Sequence, residues 1–165
     1  MKMELIQPFI NAADAVLAQT LKAPTTIGEV SMEEEAYRRK GVAAVIRVAG
    51  DIEGRVIFDL EPSTAEQVAT KLVGDESAAM EMIPEAICEL ANQVIGNAVT
   101  VLNDQGFHFK VMPPEIHTAD QGAKSTEDTE ALVMSFETVT GNVFMNIAMR
   151  YNKRRRADGT TAAAD

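Results

Sequence analysis

The 165-residue sequence predicts an α+β layer fold: an antiparallel-rich β-sheet with helices packed on one face and one long helix among them. Three observations carry this. Apolar residues recur at helical spacing in three separate segments, the longest spanning 84–103. β-branched and apolar runs fall in hairpin-like groups, 42–60 and 131–149, instead of alternating strictly with helices. The composition suits one core, with 46% apolar residues, nine Met, no Trp and two Tyr, which makes an aliphatic and adaptable interior.

Residues 8–21 read as the first helix, with Phe9, Ala13, Val16, Leu17 and Leu21 on one face. Pro8 suits a first helical turn, where its missing N–H costs little, and Pro24 stops the helix. A short strand with Ile27 and Val30 covers 25–31, and the charged run 33–40 reads as a solvated connection or a polar strand end. Residues 42–49 and 54–60 form a hairpin around Gly50-Asp51, with Val56 and Phe58 on one face and Arg55, Ile57 and Asp59 on the other. Pro62 and Ser63 open a second helix, Ser63 and Glu66 have capping-box spacing, and Gly74 suits its C-terminus, with Gly74-Asp75-Glu76 as a helix stop. After the long helix, 107–111 reads as a strand that Pro113-Pro114 interrupts before 115–117, and the polar 119–130 as a loop. Strands over 131–137 and 142–149 turn at Gly141-Asn142, and the hairpin they make is expected to present an edge that a second copy would cover. One domain covers 1–151; the basic and small-residue tail, 152–165, lies outside the fold. No internal repeat is evident.

Fifteen basic residues against twenty-five acidic ones give a net charge of −10, and four of the basic ones stand at 153–156 in the tail. An acidic domain of this kind repels phosphate backbones, so nucleic-acid binding through a basic face is not expected. Cys88, alone of its kind, forms no internal disulfide or multi-cysteine zinc site and reads as a small buried hydrophobe. His108 and His117 are too few for a usual metal cluster and read as structural or surface histidines, so no metal ligand is assigned to this chain. No apolar run approaches the roughly 20 residues a bilayer requires, and Met1-Lys2-Met3-Glu4 lacks the regions of a signal peptide. The expectation is a cytoplasmic protein without membrane insertion.

The long helix carries the chemistry. At 100° per residue, Ile83, Ile87, Leu90, Ala91, Val94, Ala98, Val101 and Leu102 fall on an apolar side. Glu85, Glu89, Asn92, Gln93, Gly96, Thr100 and Asn103 fall on the other. Glu89 and Asn92, at i and i+3, are neighbours. A carboxylate can anchor a cation, and a carboxamide can hold a water in one orientation. Neither is a good nucleophile, so the pair suits positioning of a water for attack on a phosphoryl group. Spacing alone leaves the alternative of two polar residues on a wet helix face. Gly96, which costs about 1 kcal/mol against Ala in a helix interior, implies a close approach to the backbone or a bend.

Glu89-Leu90-Ala91-Asn92, followed by Gly96-Asn97-Ala98, reads E-x-x-N-x-x-x-G-N-A. It resembles the active-site helix of the CheC/CheX/FliY family of chemotaxis phosphatases. There a proline follows some twenty-odd residues on, matched loosely by Pro113 or Pro114; the Asp or Ser usual four residues before the Glu is replaced here by Glu85. The resemblance covers roughly residues 5–150. CheC-like members carry a second E-x-x-N on the first helix; residues 9–14 have none, so the pattern is closest to the CheX type. The resemblance implies hydrolysis of the phospho-aspartate of a CheY-like response-regulator receiver domain, in chemotaxis or another two-component pathway. Asn92 would orient the attacking water and Glu89 would pair with a receiver lysine; Glu85, Gln93 and Gly96 would touch the partner. This chain would bind no cofactor, Mg²⁺ would sit on the receiver, and the protein would pair as a homodimer through its sheet. The competing reading is a non-catalytic receiver-binding or dimerisation module.

Overall fold

The computed structural model describes residues 3–34, 39–117 and 130–152. Helix α1 (Met3–Leu21) leads into strand β1 (Thr26–Glu33) and the hairpin of β2 (Val42–Gly50) and β3 (Ile52–Leu60). Helices α2 (Pro62–Val73), α3 (Glu76–Glu81) and α4 (Ile83–Asp104) follow. The short strands β4 (Phe109–Val111) and β5 (Glu115–His117) precede the final hairpin, β6 (Ala131–Thr138) and β7 (Gly141–Tyr151). The strands form one 7-stranded sheet in the order β1-β6-β7-β3-β2-β4, with β5 also on β2. Every pairing is antiparallel.

Strand alternation sorts the sheet into two faces. Phe58, Leu60, Met134, Phe136, Met145 and Ile147 point toward the helices and pack with Leu5, Phe9, Leu17, Ile87, Leu90 and Val94. Each such burial contributes about 1.5–3 kcal/mol. On the other face Ala43, Val45 and Ile57 make a smaller cluster with Val133 and Phe144. Two polar groups predicted to share that face are buried with partners: Arg55 donates to Asn146 Oδ1, and Asp59 accepts from the Lys40 and Gly41 amides at 2.7 and 3.0 Å. Pro113-Pro114 splits one edge into two, β4 pairing with Val48–Gly50 and β5 with Ala43–Val45, because proline cannot donate to a ladder.

The fold class stands as predicted, and several local expectations change. Helix α1 starts at Met3, five residues early, and carries Pro8 in its interior. Pro8 has no N–H for the Glu4 carbonyl, but buried Leu5, Ile6 and Phe9 anchor the extra turn. The Ser63–Glu66 capping box is absent: Glu61 is the N-cap, so Ser63 is already inside α2. The Glu61 carboxylate instead accepts the Asn142 amide at 2.7 Å, tying α2 to the β6–β7 turn. Gly74 does end α2, with φ +88°, but the next residues start α3, capped by Asp75 accepting from the Ser77 amide. The 131–149 hairpin is interior, because β1 lies outside β6 and β3 outside β7; β1 forms one outer edge of the sheet and β4 with β5 the other. The predicted 119–130 loop, except Glu130, and the 153–165 part of the predicted tail lie outside the described residues, as do 35–38 of the charged run. Asn152 is pinned to the fold, its amide donating to the Asp51 carbonyl and its side chain to the Gly50 carbonyl.

Candidate functional site

Helix α4 lies between the sheet and the surface because its sequence is amphipathic over 22 residues. Ile87, Leu90, Ala91, Val94, Ala98 and Leu102 are buried against the core. Val101, placed on the apolar side by the helical wheel, is instead 44% exposed and borders a groove of about 460 Å³ between α4 and α1. Glu85, Glu89, Asn92, Gln93, Gly96, Thr100 and Asn103 are all exposed on the opposite side, so the predicted site residues share one face.

The side chains on that face differ in their engagement. Gln93 Nε2 donates to Glu89 Oε1 at 3.2 Å, which steadies the carboxylate while leaving its second oxygen open to a cation. Thr100 Oγ1 donates to the Gly96 carbonyl at 3.0 Å. The Asn92 carboxamide makes no hydrogen bond to another described residue, so its acceptor and both donors face solvent. Cys88 is half-buried at the edge of the stripe; burial, and then the nearby Glu85 carboxylate, push its thiol pKa up. A raised thiol pKa opposes nucleophilic use at neutral pH.

The register of α1 exposes a correspondence that the sequence reading passes over. Glu4-Leu5-Ile6-Gln7 matches Glu89-Leu90-Ala91-Asn92, and the match continues with Phe9, Ala13 and Leu17 buried where Val94, Ala98 and Leu102 are buried. Glu4, Gln7 and Asn11 are exposed as Glu89, Asn92 and Gly96 are. The signal was the shared Glu-Leu-x-amide pattern; starting the helix at Pro8 hid it. Two of these side chains of α1 are engaged within the protein: Tyr151 donates its hydroxyl to the Glu4 carboxylate, and Gln7 Nε2 donates to Asn11 Oδ1 at 2.9 Å.

Pro114 is half-buried and Pro113 exposed, just before β5, which packs against α4. The His108 amide donates to Asp51 Oδ2, and His117 Nε2 lies 3.6 Å from Glu115 Oε1. Among the described residues no three His, Cys, Asp or Glu side chains gather as a metal site requires, and no helix is long and apolar enough to cross a membrane.

Residues 42–137, from β2 through β6 with α4 inside, match the family model described as chemotaxis phosphatase CheX. The chain is 24% identical over 118 residues to the CheY-P phosphatase CheX of Thermotoga maritima, covering 70% of this chain and 76% of that protein. A CheC-like superfamily protein from Shewanella sp. PV-4 superposes with a TM-score of 0.77 at 20% identity, covering 91% of this chain and 99% of that one. A chain of the CheX–CheY–BeF3–Mg²⁺ complex from Borrelia burgdorferi superposes with a TM-score of 0.75 at 30% identity, covering 90% and 99%. A family match over more than half the sequence, on the α+β fold its solved relatives share, means that the chain belongs to the CheX family of chemotaxis phosphatases.

Proposed function

We propose that this protein hydrolyses the phospho-aspartate of a CheY-like receiver domain. The observation that carries the reading is the Asn92 carboxamide, exposed and free of intramolecular hydrogen bonds among the described residues, beside an exposed Glu89 on the same helix face. The relatives support it: one is named for CheY-P dephosphorylation and another is in complex with CheY. An acyl phosphate needs little covalent help from a protein, so holding a water in line is sufficient chemistry. The Asn92 amide holds that water. The water's oxygen attacks phosphorus and the bond from phosphorus to the aspartyl oxygen breaks, which frees the receiver's aspartate carboxylate, inorganic phosphate and a proton. Glu89, oriented by Gln93, meets a receiver lysine and fixes α4 in place. Glu85, Gln93 and Gly96 line the partner contact. Mg²⁺ is supplied by the receiver.

The assembly we propose is a homodimer through β1. Ile27, Val30 and Met32 stand opposite Phe136, Met134 and Leu132, so they extend the core-facing row of the sheet. They are nevertheless 51, 54 and 51% exposed. An apolar edge strand of this kind invites pairing with another copy. Light scattering at tens of micromolar should give twice the chain mass, and Val30→Lys should give the monomer.

The function is tested by loading the CheY-type receivers of the same cell with acetyl phosphate and following their decay. Decay accelerated by catalytic amounts of this protein is the expected result. Stable binding without acceleration would replace the phosphatase reading with that of a receiver-binding module.

A further inference from the structure

We infer that Gly96 is a seat for the receiver's main chain, kept free of a side chain so that the partner lies directly on the α4 backbone one turn beyond Asn92. This rests on the receiver reading above and adds to it where the partner packs. Gly96 stands in the interior of α4, where glycine is less stable than alanine. Every other described glycine answers a demand of the fold. Gly50, Gly54, Gly74, Gly106 and Gly141 have positive φ. A Cβ at Gly28 would fall 2.4 Å from Ser135 Oγ, and one at Gly41 would fall 2.0 Å from the Leu60 carbonyl oxygen. At Gly96 φ is not positive and a Cβ would meet nothing within 4 Å. The fold therefore gives no reason to omit a side chain there.

The neighbouring side chains keep the same strip low. Thr100 folds its hydroxyl back onto the Gly96 carbonyl, and Gln93 turns its amide toward Glu89. Gly96 lies about 6 Å along the helix axis from Asn92, close enough for a loop flanking a phosphoryl group to touch both. The corresponding residue of α1 is Asn11, which carries a side chain that accepts from Gln7. A bend in α4 is the other use a glycine could serve, and the two uses predict different behaviour.

The test is Gly96→Ala in the full chain, with three readouts: melting temperature, affinity for a receiver held with beryllofluoride and Mg²⁺, and steady-state dephosphorylation. Melting should rise by about 2–4 °C, because alanine is the better helix former. Affinity should fall about 10- to 100-fold, the cost of forcing a methyl group into a packed contact. KM should rise correspondingly while kcat stays nearly unchanged. Gly96→Leu, also a better helix former than glycine, should bind still more weakly. Unchanged affinity in Gly96→Ala, or a lowered melting temperature, would overturn the inference while wild-type activity stands. Wild-type protein that neither binds nor dephosphorylates the receiver would overturn the receiver reading and this inference with it.

Discussion

At equivalent positions α1 offers Glu4, Gln7 and Asn11, and α4 offers Glu89, Asn92 and Gly96. Both helices bury the same side of the same pattern against the sheet, so spacing and exposure do not distinguish them. Engagement does. Glu89 accepts from Gln93 much as Glu4 accepts from Tyr151, but the amides part company: Gln7 donates to Asn11, whereas Asn92 has no hydrogen-bond partner among the described residues. A group already satisfied within its own chain must break that bond before it can serve a partner, and an unpaired one need not. Gln7 also has one more rotatable bond than asparagine, so fixing a water with it costs more side-chain entropy. Two like surfaces thus differ in readiness, and the readiness lies in their contacts.

The largest expected effect breaks the comparison on the α4 side. Asn92→Ala should lower receiver dephosphorylation by about 100-fold or more, the scale of losing one transition-state hydrogen bond, with receiver binding largely kept. Single-turnover decay and binding measured on the same variant check this, and full activity would sink the water-positioning role. Next in size is Glu89. Its alanine variant should weaken receiver binding by about tenfold, and Glu89→Lys by more, since it sets a like charge against the receiver lysine. A binding titration at two salt concentrations checks it, because an electrostatic contact weakens with salt. Melting temperatures of both variants should stay close to wild type, as both residues are exposed.

The α1 side should respond far less. Gln7→Ala should leave dephosphorylation within about twofold of wild type, as a surface change away from the reacting groups. Gln7→Asn introduced into Asn92→Ala should restore nothing, because Glu4 stays with Tyr151 and Asn11 still occupies the place where α4 has glycine. Recovery of activity in that double variant would show that spacing alone makes the site. The smallest effect belongs to Cys88, at the flank of the α4 face. With its pKa raised by burial and by Glu85, the thiol holds its proton to higher pH than free cysteine does and should react with iodoacetamide more slowly. The unfolded chain loses this proton first. Its stabilising contribution is therefore intact below the unfolded thiol pKa and declines as pH rises toward the folded one. Comparing melting of wild type and Cys88→Ala across that alkaline range checks the sign.

Much of the candidate site could be read from residues alone because α4 is one continuous helix. Periodicity puts Glu85, Glu89, Asn92, Gln93 and Gly96 on one face wherever the helix packs, and Pro84 and Gly106 bracket it. The same logic failed at α1, where Pro8 resembled a start signal and buried Leu5 and Ile6 overrode it. It failed again at Ser63, whose hydroxyl had capping spacing but stood two residues past the N-cap, inside α2. Glu85, which departs from the family's usual Asp or Ser, is exposed on the site face, and its charge acts on Cys88.

The sequence by itself determined the α+β class, the β2–β3 and β6–β7 hairpins, and the polar face of α4, because each depends on residues within a few turns or one tight loop. Tertiary structure alone decided that β7 inserts beside β3, that β1 and not the last hairpin forms an outer edge, and that α1 repeats the pattern of α4 with Glu4 and Gln7 engaged. Those outcomes rest on partners far apart in the chain. The Tyr151 hydroxyl that engages Glu4 comes from 147 residues away, and Tyr151 itself is placed by pairing opposite Ile52. Local polarity fixes which way a side chain points relative to its own helix or strand. Which distant group meets it there depends on how the elements pack.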